Sequence, residues 1–240
     1  MKSLMFAIVF PMTVLAASEN APAWPDCTPC RPDNRFTVEG AIPVVNMLYK
    51  GQYNELHSGA KKDYDLVTVG DSITCNWNIR DKDGYYALSP KGYLGGVFNF
   101  GIGGDRIEQV IWRLEDGGLM ENFTTKYFTL LIGTNNSYQR RMEQNVACDK
   151  PEEMTKGIER ILWNLRTKHP EAKILLMPIL PRDPIAKDPP NLREVQAEVN
   201  RLIRPLADGT TVIWNDWSAK LLGPDGKIRP EMMYDEVHPS

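Results

Sequence analysis

Long apolar segments and clusters of basic residues are scarce in this sequence, and their scarcity excludes several classes of protein. Beyond the N-terminus, no apolar run is long enough to cross a membrane. Lysine and arginine occur in scattered pairs, such as Lys61-Lys62 and Arg140-Arg141, and the net charge is −3. Nothing therefore argues for a nucleic-acid partner. No internal repeat is visible, and 240 residues, 42% of them hydrophobic, suffice for one domain with a sizeable core.

The first 18 residues have the pattern of a secretory signal peptide. Lys2 supplies a positive charge, residues 4–15 are mostly apolar, and small residues follow at 16–18. The apolar stretch is short for a membrane span, so we expect cleavage rather than an uncleaved anchor. We therefore predict an exported protein, secreted or periplasmic, without a stable membrane anchor after processing. Residues 19–40 contain four prolines and are predicted to form an exposed lead-in to a single domain over residues 41–240.

Cysteine is also sparse, with four residues in the chain. Cys27 and Cys30 form a CxxC motif in a proline-rich stretch, whereas a redox motif of this kind should open a helix after a strand. No second CxxC or HxxxH motif completes a zinc site. An exported chain is expected to use its cysteines in structural disulfides. Four cysteines allow three pairings, and we take Cys75–Cys148 as the working pairing.

Five apolar runs alternate with helical patterns along the rest of the chain. The runs are nearly continuous, as in strands that are buried on both faces of a parallel sheet, and they cover residues 65–69, 96–100, 127–132, 173–180 and 211–216. Apolar residues recur at helical spacing between the later runs, at Ile107, Ile111 and Leu114, at Ile158, Ile161, Leu162 and Leu165, and at Leu192, Val195, Val199, Leu202 and Ile203. This order predicts an α/β fold with a doubly wound, five-stranded parallel sheet.

Polar and glycine-rich segments follow the predicted strands. They are Gly70-Asp71-Ser72, Gly101-Ile102-Gly103-Gly104-Asp105, Gly133-Thr134-Asn135-Asn136 and, near the end of the chain, Tyr234-Asp235-Glu236-Val237-His238-Pro239. Ligand sites of such sheets lie beyond the carboxyl ends of the strands. We therefore expect these four segments to meet at one edge of the sheet.

The residues in these segments have the chemistry of an acyl-transfer site. A serine hydroxyl such as that of Ser72 becomes a nucleophile when a base, here His238, takes its proton. Asp235 precedes the histidine by three residues and could orient the imidazole. Donors for an oxyanion would be the N–H of Ser72, the N–H of a glycine after the second strand, and the Asn135 amide. The residues alone do not decide which glycine this is.

Each segment also has a plainer interpretation. Gly-Asp-Ser is common in turns and helix starts, and Asp71 is expected to support the turn beside Ser72. The glycine loop could cradle a phosphate, but it lacks the GxGxxG spacing of a nucleotide site. His57 and His169 lack a comparable context, and we interpret both as structural or solvated. The ordered occurrence of all four segments favours the acyl-transfer interpretation.

The blocks GDSIT, GIGGD, GTNN and DEVH, in this order, resemble the SGNH (GDSL-type) hydrolases. The run NFGIGGDRIEQVIWRLEDG followed by LLIGTNN is especially similar to platelet-activating-factor acetylhydrolase catalytic subunits and their bacterial relatives. The resemblance covers roughly residues 60–240 and implies a three-layer, flavodoxin-like α/β/α fold and ester hydrolysis without a metal or cofactor. It implies that Ser72, Asp235 and His238 are catalytic, and that Ser72, Gly104 and Asn135 form the oxyanion hole.

The resemblance does not fix the substrate, because those relatives are intracellular, whereas this chain is predicted to be exported. We expect a secreted esterase that cleaves short acyl groups from a small ester, such as an acetylated carbohydrate or a lipid. The alternative is a non-catalytic ligand-binding protein on a degenerate version of the same fold.

Two features of the chain bear on the predicted site. The family usually continues past the histidine with a final helix, so we expect a domain truncated at its C-terminus; if Ser240 is instead the native end, we expect His238 to be loosely held on a frayed terminus. Asn122 and Asn135 lie in glycosylation sequons. A glycan on Asn135 would block the oxyanion site, and we therefore predict that Asn135 is unmodified.

Overall fold

The computed structural model of the chain describes residues 62–78, 96–115, 120, 123–137, 150–184, 188 and 190–240. The predicted signal peptide and lead-in lie outside these residues, as do Cys27, Cys30, His57, Asn122 and Cys148. The predictions made for them, and the proposed domain boundary at residue 41, therefore stay predictions.

The described residues form a five-stranded sheet in which every pair of neighbouring strands is parallel. Its strands are β1 (Lys62–Gly70), β2 (Val97–Gly101), β3 (Phe123–Leu131), β4 (Lys173–Leu176) and β5 (Val212–Trp214). Their order across the sheet is β2-β1-β3-β4-β5. This is the flavodoxin-like order of a doubly wound sheet, so the predicted fold class is confirmed.

The helices follow the strands in alternation. They are α1 (Ser72–Cys75), α2 (Ile107–Glu115), α3 (Pro151–Lys168) and α4 (Leu192–Ile203). α3 stops at Lys168, before His169 and Pro170, and α4 gives way at Arg204 to a single turn that contains Pro205. No helix among the described residues is both long and apolar enough to cross a membrane.

Apolar side chains pack on both faces of the sheet. Leu130 belongs to a large cluster that includes the buried residues of α2, α3 and α4, such as Val110, Leu162 and Val199. Leu131 belongs to a second, smaller cluster with Ile73 of α1. Because successive residues of a strand point to opposite faces, these two clusters lie on the two sides of the sheet. The result is a three-layer arrangement with the sheet in the middle.

The predicted fourth strand, residues 173–180, is shorter than expected. It ends at Leu176, and although the Met177 N–H still bonds the Leu130 carbonyl, Pro178 has no N–H with which to continue the ladder. The chain beyond it is held differently, because the Asn200 side chain bonds both the N–H and the carbonyl of Ile179, at 2.7 and 2.9 Å. The apolar residues of this stretch are nevertheless buried core, as the sequence predicts.

The working disulfide pairing is wrong, because Cys75 carries a free thiol in the structure. Cys75 is the last residue of α1, which packs on the end of β2, and its sulfur accepts a hydrogen bond from the Gly103 N–H. The thiol is thus turned towards the loop after β2 and is half-buried. Burial raises the pKa of this thiol, so that it stays protonated at neutral pH.

Candidate active site

Ser72 is the first residue of α1, at the end of β1. Asp71 caps this helix: its Oδ1 accepts a hydrogen bond from the Ile73 N–H at 2.9 Å, and its own carbonyl accepts one from Cys75. The first N–H groups of a helix have no partner within the helix, and that of Ser72 is among them. The sequence prediction that Asp71 supports the turn is therefore confirmed.

Gly101 at the end of β2 and Gly104 in the loop that follows allow this loop to lie beside Ser72. A Cβ on Gly101 would come within 2.4 Å of the Cys75 backbone nitrogen, so only glycine lets α1 pack this closely on β2. Gly104 has a φ of +82°, a conformation that other residues rarely adopt. A Cβ on Gly103 would lie 4.0 Å from the side chain of Ser72. The loop therefore lies directly beside the serine.

The structure joins Ser72, His238 and Asp235 in a row of hydrogen bonds. The Oγ of Ser72 lies 2.8 Å from Nε2 of His238, and Nδ1 of His238 lies 2.7 Å from an Asp235 carboxylate oxygen. An ionised carboxylate can only accept, so Nδ1 carries the proton and Nε2 accepts from the serine hydroxyl. This arrangement allows the imidazole to take the hydroxyl proton while the carboxylate stabilises the resulting positive charge.

The Asp235 carboxylate is organised to remain charged. Partial burial acts to raise its pKa, but hydrogen bonds from the N–H of Val237, from the imidazole and from the N–H of His238 outweigh this effect. The net result is a pKa below the ordinary value for aspartate, so the carboxylate is ionised at neutral pH.

Backbone hydrogen bonds hold the segment that carries His238. The Tyr234 N–H bonds the His238 carbonyl at 2.7 Å, and the Ser240 N–H bonds the Met232 carbonyl at 2.9 Å. Met233 and Pro239 form an antiparallel bridge between these two contacts. The segment is therefore closed on itself, and the loosely held histidine expected from the sequence is not what the structure has.

The turn Thr134–Asn136 follows β3 and brings Asn135 to the loop after β2. One N–H of the Asn135 side chain bonds the Asp105 carbonyl at 2.7 Å. A primary amide has two N–H donors, and this contact fixes the plane in which the other one points. Ser137, the third residue of the glycosylation sequon, is fully buried. That Asn135 is unmodified stays a prediction.

Arg113 of α2 connects the ends of two strands to Asp105. Its side chain is fully buried and donates to the Phe100 carbonyl at 2.8 Å and to the Asp105 carboxylate at 2.5 Å. The same guanidinium lies 3.5 Å from the Gly70 carbonyl and stacks 4.2 Å from the centre of the Phe100 ring. The charge of Asp105 is thereby compensated inside the protein, and the start of the glycine loop is anchored.

Asp71 is a buried acid without a comparable partner. It is fully buried, and its Oδ2 atom has no hydrogen-bond partner in the structure. Burial raises the pKa of Asp71 to about 7, the Ile73 N–H counteracts this in part, and the negative charge of Asp105 adds to it. At neutral pH a large share of this side chain therefore carries a proton.

The four predicted segments meet, as expected, at the carboxyl edge of the sheet. The sequence interpretation nevertheless missed the residues that support them. It gave no role to Arg113 of α2. It also missed Arg106, Glu108 and Asn136, which form hydrogen bonds between the start of α2 and the turn after β3. The sequence features that could have indicated these residues are the polar run that follows the glycine loop and the second asparagine of GTNN. Among the described residues, no group of three or more His, Cys, Asp or Glu side chains could hold a metal ion.

Comparison with known proteins places the chain in a family. The GDSL-like Lipase/Acylhydrolase family matches residues 68–240, which is well over half of the sequence. The chain therefore belongs to this family of ester hydrolases, and its membership agrees with the serine site at the carboxyl edge of the sheet.

Individual relatives refine this placement. The chain is 37% identical over 193 residues to the human platelet-activating factor acetylhydrolase IB subunit alpha2, covering 79% of this chain and 76% of the relative. Among solved structures, a GDSL-like lipase from Bacteroides thetaiotaomicron aligns with a TM-score of 0.60 at 18% identity, over 80% of this chain and 89% of that one. Est24, a carbohydrate acetylesterase from Sinorhizobium meliloti, aligns with a TM-score of 0.51 at 18% identity, over 75% and 91%. At these identities the two structures establish a shared fold.

Proposed function

We propose that this protein is a serine esterase that removes short acyl groups, acetate above all, through an acyl-enzyme on Ser72. The observation that carries the proposal is the uninterrupted row of hydrogen bonds from the Ser72 hydroxyl through His238 to Asp235. The preference for acetate is supported by the relative at 37% identity, which is named an acetylhydrolase. The alcohol portion of the ester is that of an acetylated carbohydrate or a lipid.

The reaction begins when Nε2 of His238 takes the proton of the Ser72 hydroxyl as Oγ attacks the ester carbonyl carbon. The carbonyl oxygen becomes an oxyanion, which accepts hydrogen bonds from the Ser72 N–H, the Gly104 N–H and the Asn135 amide. As the tetrahedral intermediate collapses, the ester C–O bond breaks and the imidazolium gives its proton to the departing alkoxide. Asp235 stays ionised throughout and stabilises the imidazolium.

Water then repeats the sequence on the acyl-enzyme. His238 takes a proton from the water as the oxygen attacks the acyl carbon, and the same three donors stabilise the second oxyanion. The intermediate collapses with release of the acid, and the proton held by His238 returns to the oxygen of Ser72. No metal or cofactor takes part in this scheme.

The Ser72→Ala variant tests the proposal with p-nitrophenyl acetate as substrate and a fluorophosphonate probe as a label for the nucleophile. We expect loss of turnover and of labelling, with an unchanged circular-dichroism spectrum. Ser218→Ala is the matched control, because Ser218 is also a partly exposed serine in a turn. Turnover that survives Ser72→Ala would remove the proposal. A folded wild-type protein that binds esters but is neither labelled nor active would support the non-catalytic alternative.

Export of the enzyme is a second part of the proposal, and it rests on the pattern of the first 18 residues. Expression of the full sequence with its N-terminus intact, followed by N-terminal sequencing of the secreted and retained fractions, tests it. We expect a mature form that begins shortly after Ala16. An unprocessed chain in the cytosol alone would contradict export and leave the esterase proposal in place.

A further inference from the structure

The turn that carries Asn135 is joined to the start of α2 by side chains that the mechanism above does not use. Arg106 donates from Nη1 to the carbonyl of Asn135 at 2.7 Å. Asn136 accepts from the Ile107 N–H through Oδ1, at 3.0 Å. The contact from the Asn135 amide to the Asp105 carbonyl, described above, is a third link. The turn is thus held at three points: the Asn135 carbonyl, the Asn135 side chain and the Asn136 side chain.

Glu108 connects these links to each other. Its Oε1 accepts from Nε of Arg106 at 2.6 Å, and its Oε2 accepts from the side-chain amide of Asn136 at 2.9 Å. The Arg106 and Asn136 side chains are buried, and that of Glu108 is 17% exposed. One carboxylate therefore fixes the two side chains that bracket Asn135.

The geometry points to Glu108 as a positioning residue for the Asn135 amide, an inference that rests on the proposed function and extends it. An oxyanion donor contributes only when it is already aimed at the place where charge develops. Asn135 lies in a short turn after β3, whose own backbone hydrogen bonds run within residues 133–137 and do not tie it to α2. The Glu108 carboxylate adds a restraint from α2, because it orients the side chains of Arg106 and Asn136, which bond the Asn135 carbonyl and the Ile107 N–H.

The consequence is a defect confined to the transition state. The oxyanion does not exist in the bound ester, so a misaimed Asn135 amide lowers kcat and leaves KM little changed. Misplacement of a catalytic group by about 1 Å can reduce the rate by about 100-fold. We therefore expect Glu108→Gln to lower kcat by about 10- to 100-fold. The substitution keeps the shape of the side chain but sets an amide N–H against one of the two donors.

The chain supplies a closely matched control at the other end of the same helix. Glu115 also holds an arginine and an asparagine: it accepts from Nε of Arg160 at 2.6 Å and from the Asn164 amide at 2.7 Å. Its side chain is 24% exposed, close to the value for Glu108. Glu115→Gln makes the same chemical change in a network that joins α2 to α3, and we expect kcat to be unchanged.

A double-mutant cycle separates positioning from a general effect on the fold. Asn135→Ala alone should lower kcat by about 100- to 1000-fold. If Glu108 acts through Asn135, then Glu108→Gln has almost no further effect on kcat in the Asn135→Ala background. A loss of kcat in the double variant equal to the product of the two single losses would overturn the proposal. A wild-type kcat in Glu108→Gln would overturn it as well.

A readout that needs no turnover keeps this inference separate from the proposed function. The side-chain amide signals of Asn135 in a ¹H–¹⁵N spectrum are assigned by their loss in Asn135→Ala. We expect them to move in Glu108→Gln and to stay in place in Glu115→Gln. Unmoved signals in Glu108→Gln overturn the positioning role even if Ser72-dependent turnover is present. Loss of turnover in Ser72→Ala tests the esterase proposal independently of either glutamate.

Discussion

Nε2 of His238 lies 2.8 Å from the hydroxyl oxygen of Ser72, although 166 residues separate the two in the chain. Ser72 is placed by the start of α1 after the first strand, and His238 by a hydrogen-bonded segment that follows the fifth strand. The parallel sheet brings the two together, because the carboxyl ends of all its strands lie at one edge.

Asp235→Asn should abolish most activity without disturbing the fold. The asparagine can still accept the N–H groups of Val237 and His238, but it sets an amide against Nδ1 of the imidazole. This favours the tautomer with the proton on Nε2, which cannot accept from Ser72. We expect kcat to fall by about 10³- to 10⁴-fold.

The comparison variant is Asp216→Asn, which changes another exposed aspartate that accepts a backbone N–H two residues on, at 2.9 Å. It should retain full activity. Steady-state kinetics on p-nitrophenyl acetate measure both, and an Asp235→Asn enzyme within tenfold of the wild type would argue against the role given to Asp235.

Gly104→Ala should lower kcat because the backbone of this residue, and no side chain, is proposed to donate to the oxyanion. At a φ of +82° an alanine is strained, by about 1–2 kcal/mol, although its Cβ would meet nothing within 4 Å. Relief of this strain turns the Gly104 N–H away from its position. We expect a loss of roughly 100-fold in kcat and a modest loss of stability.

Gly226 serves as the control for this substitution. It has a φ of +74° and equally open surroundings, but it lies in a turn between Gly223 and Lys227. Gly226→Ala should lose a similar amount of stability and keep its kcat. Equal kinetic losses in both variants would show that strain alone, without the proposed donor, explains the effect.

Arg113→Met should destabilise the protein strongly. The substitution removes the guanidinium that bonds the buried Asp105 carboxylate, and breaking a buried ion pair from one side costs about 3–5 kcal/mol. The double variant Arg113→Met/Asp105→Asn should recover part of this loss, since neither charge of the pair remains.

Urea unfolding of the wild type, of Arg113→Met and of the double variant measures these differences, and Arg201→Met is the reference variant. Arg201 pairs with Glu198 on the exposed face of α4, where solvent screening leaves an ion pair with little effect on stability. If Arg113→Met were no worse than Arg201→Met, the buried pair would not be the anchor described above.

Much of this architecture could be predicted because it depends on patterns that are local in the sequence. Continuous apolar runs and residues at helical spacing mark the strands and helices, and the glycine and polar segments after the strands mark the site. The links from Arg106 and Glu108 to the turn at Asn135 could not be predicted, since they span 28–29 residues and depend on side-chain orientation. The length of β4 was overestimated for a related reason: the apolar run continues past Leu176, but Pro178 interrupts the hydrogen bonding.

The stability of the protein should depend on pH through Asp71. In the unfolded chain this carboxyl has its ordinary pKa near 3.8, whereas burial raises the pKa to about 7 in the folded protein. Folding therefore takes up a proton between these pH values. The stabilisation linked to it is complete below pH 3.8 and is lost as the pH rises through 7.

Asp71→Asn removes this dependence, because an amide carries no charge and can still accept the Ile73 N–H. We expect the free energy of unfolding of the variant, relative to that of the wild type, to rise between about pH 4 and pH 8 by on the order of 4 kcal/mol. Urea titrations at intervals across this range measure the difference. Asp225→Asn is the control: Asp225 accepts the Lys227 N–H with the same two-residue spacing, at 3.1 Å, but is exposed to solvent. A wild-type curve parallel to that of Asp71→Asn would mean that Asp71 is ionised in the folded protein at neutral pH, and would overturn the prediction.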